Sequence, residues 1–140
     1  STHIVDLAFH LGGEPEKINT YHRGELCWHP SASVFVGSGV ARKGALFSYS
    51  ANWEAPGRWG IEILTKSRRL ILQPLEQLQV QEQGSFDRKT LVIDNVLDKA
   101  FKPGLYKMVE AFINLNTSIL KSAKEQTESL HCYSQMANYQ

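Results

Sequence analysis

Residues 45–53, Ala45-Leu46-Phe47-Ser48-Tyr49-Ser50-Ala51-Asn52-Trp53, alternate over their whole length. Ala45, Phe47, Tyr49, Ala51 and Trp53 fall on one side of an extended backbone, and Leu46, Ser48, Ser50 and Asn52 on the other. A side-chain period of two belongs to a β-strand, whose successive Cβ atoms point to opposite faces. Arg42-Lys43-Gly44 before it predicts a tight turn back to a strand at 34–40, and Ala55-Pro56-Gly57 after it predicts another. On that reading Trp59-Gly60-Ile61-Glu62-Ile63-Leu64 returns as the antiparallel partner of 45–53. Further strands are predicted at 18–26, 70–72, 78–82 and 91–93, the third with one Gln-rich polar face. Strands joined by tight turns pair antiparallel.

Both ends of the chain change period. Thr2 to Leu11 reads as a helix stopped by Gly12-Gly13 and Pro15. After Pro103-Gly104, an apolar stripe at Leu105, Met108, Val109, Phe112, Leu115 and Ile119 predicts a second helix. A third is predicted over 124–139, with Leu130, Tyr133 and Met136 or Ala137 inward. The expectation is one α+β domain over 1–140: an open, mostly antiparallel sheet with helices on one face. Its other face would then carry Phe47, Tyr49 and Trp53. So apolar a surface predicts burial against a second copy, giving a homo-oligomer; the alternative is that the two faces are the other way round and the helices cover these rings.

Composition narrows the function classes. The chain has 140 residues, 42% hydrophobic and 21% charged, ordinary values for a globular domain. Fifteen basic and fourteen acidic residues leave a formal charge of +1, which points to neither a nucleic-acid partner nor an anionic membrane surface. No apolar run approaches the ~20 residues of a membrane span, and no secretory leader pattern opens the sequence. Cys27 and Cys132 lie far apart without a CxxC pattern, which fits reduced thiols in a cytoplasmic protein.

The chemistry-bearing residues gather in the first helix. His3, Asp6 and His10 stand at i, i+3 and i+7, a spacing that puts all three on one helical face. Imidazole titrates near pH ~6.5 as a class, so His3 suits proton exchange with a substrate hydroxyl. The alternative is a polar helix face whose histidines bond nearby carbonyls. A metal site needs further ligands, and His22 and His29 sit in no recognisable ligand spacing. Gly37-Ser38-Gly39 has two glycines of a dinucleotide loop but Arg42 where the third belongs, with no helical pattern following; it reads as a glycine-rich strand and turn. Cys27-Trp28-His29-Pro30 sets a thiol near an imidazole, but the fold rather than the spacing decides whether they meet. Trp53 and Trp59 flank the Pro-Gly turn as core, interface or sugar-stacking residues.

Several of these stretches together resemble the C-terminal domain of the Gfo/Idh/MocA oxidoreductases, the relatives of glucose-fructose oxidoreductase and inositol dehydrogenase. They are His3-Ile4-Val5-Asp6-Leu7-Ala8 with Leu11-Gly12-Gly13-Glu14-Pro15; Gly44 to Trp53 with Pro56-Gly57; Ile61-Glu62-Ile63 followed by Leu70-Ile71-Leu72-Gln73-Pro74; and Tyr106-Lys107-Met108-Val109-Glu110-Ala111-Phe112. The resemblance runs from His3 to about Phe112 and implies a nucleotide-binding domain ahead of Ser1, so that the chain is one part of a longer enzyme. His3 matches the family's catalytic histidine, while the Asp of its Asp-x-x-x-His motif would fall before Ser1. Asp6, His10, Trp53 and Trp59 become candidate substrate-binding residues. The implied activity is hydride transfer between a sugar-like secondary alcohol and NAD or NADP bound outside this chain, and the strand within 73–83 extends the resemblance to members that act on nucleotide-linked sugars. The competing expectation is a stand-alone homo-oligomeric assembly module without catalysis.

Overall fold

The computed structural model of the chain describes residues 2–29 and 31–139. The elements follow the order α1 (Thr2–Gly12), β1 (Pro15–Arg23), β2 (Val34–Ala41), β3 (Leu46–Asn52), β4 (Ile61–Leu64), β5 (Arg68–Leu72), β6 (Leu78–Glu82), β7 (Lys89–Leu91), α2 (Val96–Ala100), α3 (Leu105–Ile113), a 3₁₀ turn (Thr117–Ile119) and α4 (Ala123–Ala137). The class is α+β with antiparallel strands. The strands divide into a three-stranded sheet, β1-β2-β3, and a four-stranded sheet, β4-β5-β6-β7. Two compact units correspond to them: residues 1–61 with 130–140, and residues 62–129.

In the first unit the Ala41–Ala45 hairpin is the predicted one. The Ala41 N–H donates to the Ala45 carbonyl at 2.8 Å, the Gly44 N–H donates to the Ala41 carbonyl at 2.7 Å, and Gly44 takes the left-handed φ of +84° that the turn demands. Strand register sets Gly37 against Tyr49 and Gly39 against Phe47. Neither ring has room beside an ordinary residue. A Cβ on Gly37 would lie 2.5 Å from the Tyr49 ring, and one on Gly39 would lie 2.6 Å from the Phe47 ring and 2.1 Å from the Lys17 carbonyl oxygen. Glycine at both positions therefore lets the two aromatic rings lie down across β2.

That aromatic face is the one the helices cover. Phe9 of α1 meets Phe47 edge-to-face, with centroids 5.2 Å apart. The end of α4 is fastened to β1: Gln135 donates its side-chain amide to the Ile18 carbonyl at 2.9 Å, and His22 donates Nε2–H to the Met136 carbonyl at 3.0 Å. The expectation that Phe47 and Tyr49 form an open pairing surface is thus reversed, because α1 and α4 return to the side where these rings lie. The opposite face carries Lys17, Asn19 and Tyr21 of β1, Val36 and Ser38 of β2, and Leu46, Ser48 and Ser50 of β3.

The turn at 55–57 also departs from expectation. β3 is an edge strand, and β4 pairs with β5 instead of returning on β3. The segment after Asn52 makes its own hydrogen bonds instead of closing a tight hairpin. Trp53 gives its N–H to the Ser33 carbonyl at 3.0 Å, Glu54 gives its own to Asn52 Oδ1 at 3.0 Å, and Pro56 has none to give. The second sheet opens with a tighter reversal, in which the Thr65 N–H donates to the Arg68 carbonyl at 2.8 Å. Leu70, Leu72, Leu78 and Val80 share one of its faces; Arg69, Gln79 and Gln81 share the other, with Arg69 bridged to Glu62 at 2.7 Å.

α3 stops at Ile113 although the apolar stripe continues. The Asn116 N–H reaches back to the Ala111 carbonyl at 2.8 Å and the Leu115 N–H to that of Phe112 at 3.2 Å, with Leu115 at φ +54°. This is a Schellman closure, with leucine in the position usually held by glycine. Along α3 it is Ala111 that is buried, while Leu105, Met108, Val109 and Phe112 stay exposed. In α4, Tyr133, Met136 and Ala137 are half-buried as expected and Leu130 is exposed.

Gly39→Ala is expected to lower stability by about 1–3 kcal/mol through overpacking, read as the urea unfolding midpoint. Gly57→Ala, where nothing lies within 4 Å of the added carbon, should change it by less than about 0.5 kcal/mol. Equal effects at the two positions would contradict the packing described.

Candidate functional site

α1 presents His3 and His10 exposed, with Asp6 half-buried between them. The helix ends where predicted, with the Gly13 N–H on the Phe9 carbonyl at 2.8 Å and Gly13 at φ +98°. Asp6 accepts a hydrogen bond from the Tyr133 hydroxyl of α4. A carboxylate bonded in this way is oriented by a residue 127 positions away in sequence. His3 therefore stands on a helix whose rotation about its axis is fixed by a charge-assisted contact. Among the described residues no three His, Cys, Asp or Glu side chains converge as a metal cage.

Beneath α4 lies a second phenol. The Tyr49 oxygen is buried and makes no hydrogen bond among the described residues. Burial pushes its pKa up, and the neighbouring Cys132 thiol adds to the rise. Cys27 and Cys132 are unbridged.

The remaining cluster was not read from the sequence as a unit. The His29 N–H closes on the Leu26 carbonyl at 3.1 Å, making a small turn that projects Trp28. At the end of α4, the Tyr139 N–H donates to the Ser134 carbonyl at 2.9 Å and Asn138 adopts φ +59°, a Schellman end that swings Tyr139 back. Ser31 donates its one hydroxyl proton to the Ala137 carbonyl at 2.8 Å. Its contact with His29 Nδ1 at 3.2 Å therefore has Nδ1–H as donor, which leaves Nε2 to accept from the Tyr139 hydroxyl at 2.9 Å. Both ring nitrogens of His29 are thus engaged by oxygen, so it is not poised as a base for Cys27. Pro30, the last residue of that tetrapeptide, lies outside the described residues.

Rings continue the cluster outward. His29 stands edge-to-face on Phe35 at 5.4 Å and on Trp28 at 5.7 Å, and Trp28 meets Trp53 at 5.4 Å and 82°. The structure therefore separates the two tryptophans paired by sequence. Trp53 joins Trp28, while Trp59 sits exposed in the irregular segment leading to β4.

The Gly-x-Gly stretch does not fit a pyrophosphate. Gly37 and Gly39 lie inside β2 with the Tyr49 and Phe47 rings across them, and no helix N-terminus follows. Comparison with protein-family profiles, with curated proteins and with solved structures gives no match.

Tyr133→Phe is expected to cost about 1–3 kcal/mol, since it removes the hydroxyl that donates to the Asp6 carboxylate, read as a lower unfolding midpoint. Tyr49→Phe has the opposite sign: deleting an unpaired buried hydroxyl should be neutral or stabilising. The Tyr49 pKa is higher folded than unfolded, so its contribution is constant below the ordinary phenol value near ~10. Above that pH the unfolded chain ionises first and stability falls. The melting temperature of wild type should therefore drop more steeply than that of Tyr49→Phe as pH rises past ~10; parallel curves would refute the assignment.

Proposed function

We propose that this chain is the substrate-binding and oligomerisation domain of an NAD(P)-dependent oxidoreductase acting on a sugar or sugar-like secondary alcohol. The observation that supports it is the exposed His3 on a helix locked to α4 through Asp6 and Tyr133. A proton-transfer group gains from a fixed support and an open approach, and His3 has both. In this reading His3 takes up the hydroxyl proton as the alcohol is oxidised and returns it to the carbonyl oxygen in the reverse direction. Asp6 orients the helix, and His10 lies two turns along the same face as a hydrogen-bonding group for substrate.

The chain's own glycines do not suit a dinucleotide. The reading therefore assigns NAD or NADP, and the hydride step, to a separate nucleotide-binding domain. A nucleotide-linked sugar is the substrate class that follows from the resemblance. Self-association is assigned to the helix-free face of the three-stranded sheet, where Tyr21, Val36 and Leu46 stand exposed among polar neighbours.

Calorimetric titration of the 140-residue chain with NAD and with NADP is expected to give no binding; tight binding by this chain alone would refute the division of labour. In a protein that carries the nucleotide-binding domain ahead of this one, His3→Ala should reduce turnover by ~10²–10⁴-fold. A loss under about tenfold would remove His3 from proton transfer.

A further inference from the structure

The Trp28–Trp53 pair has no part in proton transfer at His3, yet its rings are held in place by a network of contacts. Trp28 is 60% and Trp53 47% exposed, while the ring network behind them runs through His29 to Phe35, which is 5% exposed. A half-exposed indole offers a ligand both an apolar ring face and a polar N–H. Their positions are held from behind. Trp28 is braced by His29, whose two nitrogens are committed to Ser31 and Tyr139. The Trp53 backbone is held by its amide N–H on the Ser33 carbonyl.

A charged group is built in beside them. Glu54 follows Trp53 directly, and its Oε2 accepts from the Ser33 hydroxyl at 2.8 Å. Ser33 is fully buried. Gly24 makes room for this contact: at φ +72°, a Cβ there would lie 2.0 Å from Ser33 Oγ. A glycine, a buried serine and an exposed carboxylate are thus arranged so that Glu54 is oriented while its Oε1 takes no part in that bond.

We propose that Trp28, Trp53 and Glu54 form a carbohydrate-binding corner that takes a hexopyranose. Two indoles at 82° offer one open face for the apolar C–H side of a sugar ring and an upright edge beside it. The Glu54 carboxylate accepts from sugar hydroxyls, and the Tyr139 hydroxyl, also at the exposed rim, supplies a further polar partner. An extended proline-rich peptide fits less well, since it needs aromatic ridges side by side along a groove. Trp53 is also a candidate substrate-binding residue of the oxidoreductase reading, which this corner deepens, but sugar binding here needs no cofactor and is tested on this chain alone.

The test is to titrate the 140-residue chain, without nucleotide, with the methyl glycosides of glucose, galactose, mannose and N-acetylglucosamine. The indole N–H resonances of the three tryptophans are followed, each assigned by substitution. The expected result is that at least one glycoside shifts Trp28 and Trp53 and leaves Trp59 in place, with affinity in the ~mM range of a single-ring ligand. Trp28→Ala should weaken that binding at least tenfold, and Glu54→Gln, which keeps hydrogen-bonding capacity, by only a few-fold. No shift with any glycoside overturns the proposal. So do shifts produced by tetramethylammonium in place of sugars and lost in Glu54→Gln, which would assign the corner to a cation. The wild-type spectra decide the matter even where a variant fails to fold. Sugar binding that survives while His3→Ala leaves turnover intact would sink the catalytic reading and keep the corner.

Discussion

Two missing side chains organise the first unit. Because Gly37 and Gly39 carry no Cβ, the Tyr49 and Phe47 rings can lie across β2 instead of standing up from the sheet. A flat aromatic floor results, low enough for α1 to seat Phe9 on Phe47 at 5.2 Å and for α4 to reach the carbonyl of Ile18 through Gln135. A methyl group at either glycine would meet backbone oxygen as well as ring, so the strand could not give way without breaking its pairing with β1. The contact between Asp6 and Tyr133, which sets the orientation of the candidate catalytic helix, depends on both helices resting on this floor.

Local signals in the sequence were sufficient for most elements. Alternation over 45–53, the Arg42-Lys43-Gly44 turn and the Gly12-Gly13 stop each act within a few residues, and the strands and helix fall where those signals put them. What failed was the decision between partners. Nothing near Ala55-Pro56-Gly57 records that β4 will pair with β5, because that choice is made by a tighter turn at Thr65–Arg68. Face assignment failed for a related reason. Alternation tells which residues share a side, but which side the helices cover is decided by contacts such as Phe9 on Phe47, which no spacing encodes. The termination of α3 was hidden by Leu115 in a left-handed position that usually announces itself as glycine.

The candidate site was half legible. His3, Asp6 and His10 share a helical face by spacing alone, but Tyr133, the residue that fixes Asp6, comes from the far end of the chain. Trp28 stands between Cys27 and His29, and nothing in that spacing pairs it with Trp53, which reaches it only in the fold. Ser122-Ala123-Lys124-Glu125 forms a capping box at the start of α4. The Ser122 N–H donates to the Glu125 carboxylate at 2.7 Å and the Glu125 N–H donates to Ser122 Oγ at 3.2 Å. These hydrogen bonds hold the Glu125 carboxyl below the usual carboxylate range.

The first unit is made of two stretches of chain, residues 1–61 and 130–140, with all of the second unit between them. During synthesis, then, the three-stranded sheet is available long before α4 exists. Domains tend to fold as they emerge, amino end first, at a few to tens of residues per second. For the several seconds in which residues 62–129 are being made, the rings of Phe47 and Tyr49 have α1 as their cover and lack the closing turn of α4. Residues 130–140 therefore complete a core begun by residues 1–61, and the second unit is made inside that interval as an inserted passenger.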